Sequence, residues 1–238
     1  MPPKKKDKIK KHNFKDKLIL NQWLISLFGI DPLRDHTVNG KKMRPFHKLA
    51  DMIIGSKIEG LDKDNLHYFY KNLFDMFGAS STTSITKEQL LNYEENIVSH
   101  TQKINEKRDR PITWKYYQWL NLLFVEIYLD LYFHDRQKLL KGLNEYILRY
   151  NAHYPEYADI SPYTDDDLNK ICFQNATGSG KTLLMHINFF QFKHYAKVSG
   201  NTRDISRSIL ITPNERLSEQ HIDEFGLSGI CAAPFLEK

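Results

Sequence analysis

Residues 173–185, FQNATGSGKTLLM, set two glycines, a lysine and a threonine between two apolar runs. A strand that feeds a glycine turn and opens a helix is the setting in which backbone N–H groups converge on a phosphate. Gly178 and Gly180 allow positive φ and a close approach of backbone to ligand. Such a turn aims several N–H groups at a nucleotide's β-phosphate, and the helix N-terminus adds the positive end of its dipole. Lys181 would then bridge the β- and γ-phosphates, and the Thr182 hydroxyl would ligate Mg2+. The competing reading is a glycine-rich turn with an incidental lysine.

The elements around this loop must alternate for it to work. KICFQNA (170–176) reads as a short buried strand and KTLLMHINFFQFKHYAK (181–197) as a helix. SRSILIT (206–212) reads as a second strand, and Pro213 opens a second helix, NERLSEQHIDEF (214–225). Strand, helix, strand, helix implies parallel pairing with right-handed crossovers, hence an α/β fold with an incomplete parallel sheet. A half-finished sheet would leave apolar surface uncovered on the helix at 181–197.

The first two-thirds of the chain reads as helix. Leu18, Trp23, Leu24, Leu27 and Phe28 recur at helical spacing before Gly29; Phe46, Leu49 and Ile53 do so before Gly55; Leu66, Phe69, Leu73 and Phe77 before Gly78. The run GASSTTS (78–84) is a break. Thr86 with Gln89 then fits a capping box, with a helix continuing to about residue 108. Pro111 disfavours helix at Arg110 and marks a boundary. TWKYYQWLNLLFVEIYLDLYF (113–133) is apolar on nearly every side, the mark of a helix buried in the body of a protein. DRQKLLKGLNEYILRY (135–150) is amphipathic, and a Pro- and Asp-rich loop follows it. This divides the chain into a tail (1–17), a helical region (18–110) and a partial nucleotide-binding domain with its helical lead-in (111–238).

Of the 238 residues, 41% are hydrophobic and 26% charged, as in ordinary globular proteins. The net charge of +5 is unevenly placed: residues 1–17 hold eight lysines and two aspartates, so the rest is near neutral. A tail of that kind reads as a solvated, disordered leader, or as a segment that touches nucleic acid. It lacks the apolar stretch of a signal peptide. LLFVEIYLDLYF is interrupted by Glu126 and Asp130 and is too short to span a bilayer. With only Cys172 and Cys231, nothing points to an oxidising compartment. A soluble, cytoplasmic protein without a membrane partner is expected.

ATGSGKT (176–182) resembles motif I of superfamily 2 helicases, which begins with alanine. ILITPNERLSEQH (209–221) is similar to motif Ia of the branch holding the R subunits of type I and type III restriction enzymes, with Pro213, Asn214, Leu217 and Gln220 at the matching places. LNQWLISLFGID, ENIVSHTQKIN and KYYQWLNLLFVEIYLDLYF look like the lead-in of large DEAD/DEAH-type helicases of the type III restriction kind. The resemblance thus runs over most of residues 18–235. It implies a RecA-like domain in which Thr177, Gly178, Ser179, Gly180, Lys181 and Thr182 hold ATP and Mg2+, with Lys181 and Thr182 in the catalytic part. It places Gln118 where such helicases read adenine, with Tyr116 and Tyr117 nearby. Thr212, Pro213 and Asn214 would lie against the DNA backbone. A methyltransferase or specificity subunit is an implied partner.

Each assignment has a plainer counterpart. Gln118 also reads as a glutamine paired with a core carbonyl, and Asn214 as the cap of the following helix. Tyr116, Tyr117 and Trp119 read as core. His186 and His194 lack a third ligand and read as packed or exposed. Asp165, Asp166 and Asp167 read as a solvated loop, and Cys172 as a small buried residue. Phosphoryl transfer also needs a carboxylate pair and a transition-state arginine, and neither constellation is visible. The expectation is therefore the N-terminal part of an ATP-dependent DNA helicase or translocase of a restriction or phage-defence system, inactive in hydrolysis. The alternatives are a nucleotide-binding interaction module and a P-loop kinase, the latter disfavoured by Ala176 and by Pro213–Asn214.

Overall fold

The computed structural model describes residues 17–234, apart from 39, 56–57, 80–82, 157–158 and 204–206. The basic tail expected at 1–17 lies, except for Lys17, outside the described residues. The chain folds mostly as helix: α1 (Ile19–Ser26), α2 (Pro45–Ile54), α3 (Tyr68–Ala79), α4 (Lys87–Asn105), α5 (Tyr116–His134), α6 (Arg136–His153), α7 (Lys181–Val198) and α8 (Glu215–Leu227). Two three-residue strands, β1 (His36–Val38) and β2 (Lys41–Met43), pair antiparallel with Thr37 opposite Lys42.

Local chemistry explains most helix ends. Thr86 and Gln89 form the expected capping box: the Thr86 hydroxyl accepts the Gln89 N–H and the Gln89 amide oxygen accepts the Thr86 N–H. This satisfies two of the free donors that open α4. Pro45 starts α2, where its missing N–H costs nothing, and Gly55 ends it. The third helix begins later than its pattern suggests. Residues 61–67 fold back instead, with Asp62 accepting the Asp64 and Leu66 N–H groups and Leu61 bridging His67.

The central element is α5. Trp119, Leu120 and every residue from Leu122 to Leu129 are buried, so the helix is covered on nearly all sides, as its composition requires. It packs against α2, α4, α6 and α7. The boundary expected at 110–111 falls in the loop between α4 and α5, and one apolar core runs across it from Ile19 to Tyr195. The helix at 181–197 is better covered than expected, since α7 buries Leu184, Ile187, Tyr195 and Ala196 against α4 and α5.

The parallel sheet does not form among the described residues. Residues 171–176 and 207–212 are irregular, and neither joins a strand pairing. A strand is completed only by the N–H and C=O groups of a neighbour, and no described segment offers them. Ile209 and Ile211 are left 76% and 89% exposed, and Phe173 44%. Cys172, expected inside a strand, is exposed for the same reason. Among the described residues no helix is long and apolar enough to cross a membrane.

Candidate functional site

The loop ahead of α7 is built by its glycines. Gly178 and Gly180 sit at φ 77° and 80°, a left-handed backbone that side chains rarely adopt. Ser179 N–H closes the turn on Ala176 O at 3.2 Å. Gly180 caps α7 with no side-chain bond, and the helix ladder begins only where Leu184 N–H reaches Gly180 O at 3.1 Å. The N–H groups of Lys181, Thr182 and Leu183 therefore open the helix with no acceptor among the described residues. The Ser179 hydroxyl is buried and equally without a partner there. Lys181 is exposed and joins no ion pair among the described residues.

Free N–H donors at a helix start, an orphaned hydroxyl and an unpaired ammonium are the kinds of group that bind an anion. For Mg2+ the fit is thinner. Thr182 offers one oxygen, and among the described residues no group of three His, Cys, Asp or Glu stands ready to hold a metal. The remaining ligands would have to be phosphate oxygens and water, the usual arrangement for this ion.

Gln118 meets this loop from 61 positions earlier in the chain. Its Nε2 donates to Ser179 O at 2.9 Å, and its Oε1 accepts the Lys115 N–H at 2.8 Å. A Cβ added to Gly180 would lie 2.6 Å from Gln118 Nε2, so Gln118 would have to swing off the loop, while the left-handed φ is what calls for glycine there. Both ends of the Gln118 amide are thus engaged, one by the start of α5 and one by the loop. Tyr116 and Tyr117 stand edge to face with ring centroids 5.5 Å apart. Tyr117 differs from the core role expected of it: it is 40% exposed, beside Gln118 in sequence. Trp119 alone of the three aromatics is fully enclosed.

A carboxylate that pattern reading did not single out sets the start of α5. Glu94, on α4 and fully buried, accepts Trp119 Nε1–H at 2.9 Å, the His67 backbone N–H, and a 2.8 Å contact from His67 Nδ1. Nothing in the sequence marked Glu94, one acidic residue among several on α4. Its buried position and three donors become visible only when α3, α4 and α5 converge.

At the other candidate site, Asn214 is the cap of α8: its Oδ1 accepts the Leu217 N–H at 3.0 Å. Thr212 Oγ1 contacts the Ser218 hydroxyl and donates to Asn214 O at 3.0 Å. Pro213 is exposed. Among the described residues, no hydrogen bond or ion pair joins 212–214 to the phosphate-type loop, so these two sites stay separate while Gln118 and the loop come together.

The remaining candidates have structural roles. Asp167 caps the short 3-10 turn Asp165–Asn169 by accepting the Thr164 N–H, and this bond holds its carboxyl below the usual range. Asp165 pairs with Arg136 at 2.6 Å. His194 meets the rings of His100 and Tyr195 edge-on. His186 is fully buried, with Nδ1 2.7 Å from Ser228 Oγ, and burial first and the Arg108 cation second push its pKa down to about 4.

A second buried carboxylate, Glu126 of α5, faces α4 and α7. It accepts Tyr195 O–H at 2.6 Å and Asn96 Nδ2–H at 3.0 Å. Burial raises its pKa to about 7, with those bonds opposing the shift. Beside it lies a polar hollow of about 280 Å³ lined by Asn92, Asn96, Asp130, His134, His194 and Tyr195, among others.

Comparison of the chain with protein-family profiles, with curated proteins and with solved structures finds no match.

Proposed function

We propose that the chain is the nucleotide-binding, DNA-contacting N-terminal part of an ATP-dependent DNA helicase or translocase of the restriction or phage-defence kind. The observation that supports this reading is the loop at 177–182. Its two left-handed glycines turn the chain into α7 and leave three N–H groups, the Ser179 hydroxyl and Lys181 without protein partners among the described residues. Free N–H groups open any helix; what sets this turn apart is a pair of left-handed glycines set just before Lys181, together with a buried Ser179 hydroxyl that has no partner among the described residues. Gln118 touching the loop supports the same reading, since a nucleotide that draws it off Ser179 O would meet the freed Nε2 donor and the second lone pair of Oε1. The exposed Ile209, Ile211 and Phe173 are read as sheet residues that further chain would cover. Thr212 and Pro213, with the start of α8, are the proposed contact to DNA phosphates. Asn214 enters as the cap that shapes that helix end rather than as a free ligand.

The test is titration of ATP and Mg2+ into the purified chain by calorimetry. Binding in the wild type, lost in Lys181→Ala with the fold intact by circular dichroism, is the expected outcome. Equal binding by both proteins would sink the proposal. No steady-state hydrolysis is expected; a rate abolished by Lys181→Ala would show the chain to be a complete enzyme. The second reading, a nucleotide-binding interaction module, draws on the extent of the helical body and its groove of about 410 Å³ between α1, α4, α5 and α6. It predicts ATP binding that is indifferent to single-stranded DNA.

A further inference from the structure

We infer that Arg108 is a positioning residue that links α8 to α7 and so couples the DNA-facing end of the molecule to the nucleotide loop. The inference rests on the function proposed above.

The attachment of α8 differs from that of the other long helices. No residue of α8 is fully buried. Its docking depends on a polar latch at its C-terminal end. Arg108 follows α4, and its own Nε–H donates to Ile104 O at 3.0 Å, which fixes the direction of the guanidinium. Nη2 then forks to Glu224 Oε2 at 3.2 Å and to Ser228 Oγ at 3.0 Å. Ser228 is fully buried, and its Oγ lies 2.7 Å from Nδ1 of His186 on α7. Because Arg108 can only donate, the Ser228 oxygen accepts from it, and the Ser228 hydroxyl proton can go to His186 Nδ1 when that nitrogen carries no proton. That order requires a neutral imidazole, in agreement with the depressed pKa of His186. The Phe225 ring packs on the His186 ring at 4.7 Å, and Lys107 Nζ donates to Gly226 O at 3.4 Å.

The chain of contacts therefore runs from α8 through Ser228 to His186. His186 lies five residues after Lys181, about 7.5 Å along the α7 axis. The other end of α8 is Asn214, beside Thr212 and Pro213. A movement of α8 when its N-terminal end meets a phosphate backbone is passed by Ser228 to the helix that opens at Gly180. A half-buried guanidinium held at Nε by Ile104 O and at Nη2 by two acceptors has little freedom to turn, which suits it to transmit position.

The experiment measures ATP–Mg2+ affinity by calorimetry with and without a 20-nucleotide oligo-dT, for wild type, Arg108→Ala, Arg108→Lys and Ser228→Ala. In the wild type, DNA should tighten ATP binding at least fivefold. In Arg108→Ala and Ser228→Ala that factor should fall to within twofold of unity, while ATP affinity without DNA stays within twofold of wild type. Arg108→Lys should keep part of the coupling. Should Arg108→Ala fail to fold, Ser228→Ala, which leaves the Arg108–Glu224 pair in place, carries the test. Coupling unchanged in both variants would overturn the inference and leave the proposed function standing, as would a wild type that binds both ligands independently. A wild type that binds no ATP would overturn the proposed function, and the inference with it.

Discussion

The helices at 19–153 and the two stretches at 171–176 and 207–212 have similar apolar content and opposite fates. Leu122, Ile127 and Ile147 are enclosed, while Ile209 and Ile211 stand in solvent. A helix satisfies its own backbone and needs neighbours only for its apolar face, which α5 finds in α2, α4, α6 and α7. A strand must borrow its hydrogen bonds from another strand. The same residue types thus become core in one region and exposed surface in the other. The phosphate-type loop sits at the junction, with irregular backbone before it and a well-packed helix after it.

Mutations can break that contrast. The largest effect belongs to the body: Trp119→Ala empties the start of α5 and strips Glu94 of a donor, and should cost about 3–5 kcal/mol in urea unfolding. A cost below about 1 kcal/mol would mean that the body is no better packed than the segments beyond it.

The buried carboxylate gives a second, pH-dependent handle. Glu126 has its pKa raised to about 7 from an ordinary 4.5, so the folded chain keeps a proton that the unfolded chain gives up. Its contribution is fully present below pH 4.5 and is lost as pH rises to 7, on the order of 3 kcal/mol in all. Glu126→Gln should flatten that slope in a pH series of unfolding midpoints. His100 and His186, lowered to about 3 and about 4, act oppositely. Their contribution is present above pH 6.5 and lost as pH falls from there. An unchanged slope in Glu126→Gln would place the carboxylate outside the core.

Smaller effects sharpen the comparison. Thr86→Ala removes one half of the capping box and should cost about 1 kcal/mol. Ile211→Asp should change stability by no more than about 0.5 kcal/mol, since the side chain is in solvent already. A loss of 2 kcal/mol or more at Ile211, read in the same unfolding assay, would show that the segment is packed and would erase the distinction between the two regions.

Much of the body was legible because its signals are local. Thr86 and Gln89 are three positions apart, Gly55 follows the last turn of α2, and the uninterrupted apolar run of α5 can only be buried. The hairpin at 36–43 escaped because strands of three residues, HTV and KKM, are too short to display a period of two. The Asn39–Gly40 pair between them was the available signal. KICFQNA and SRSILIT had the composition of strands, but composition cannot supply a partner.

The sequence by itself determined the helices, their caps and the turn at 177–182, because each depends on residues a few positions apart and on the backbone freedom of glycine. Only the tertiary structure decided that Gln118 rests on Ser179, that Glu94 gathers three donors, and that Arg108 reaches Ser228 and, through it, His186. These contacts span 25 to 120 positions. Such pairings arise when packed helices fix the positions of polar groups that must find partners once water is excluded, and no short-range pattern encodes them.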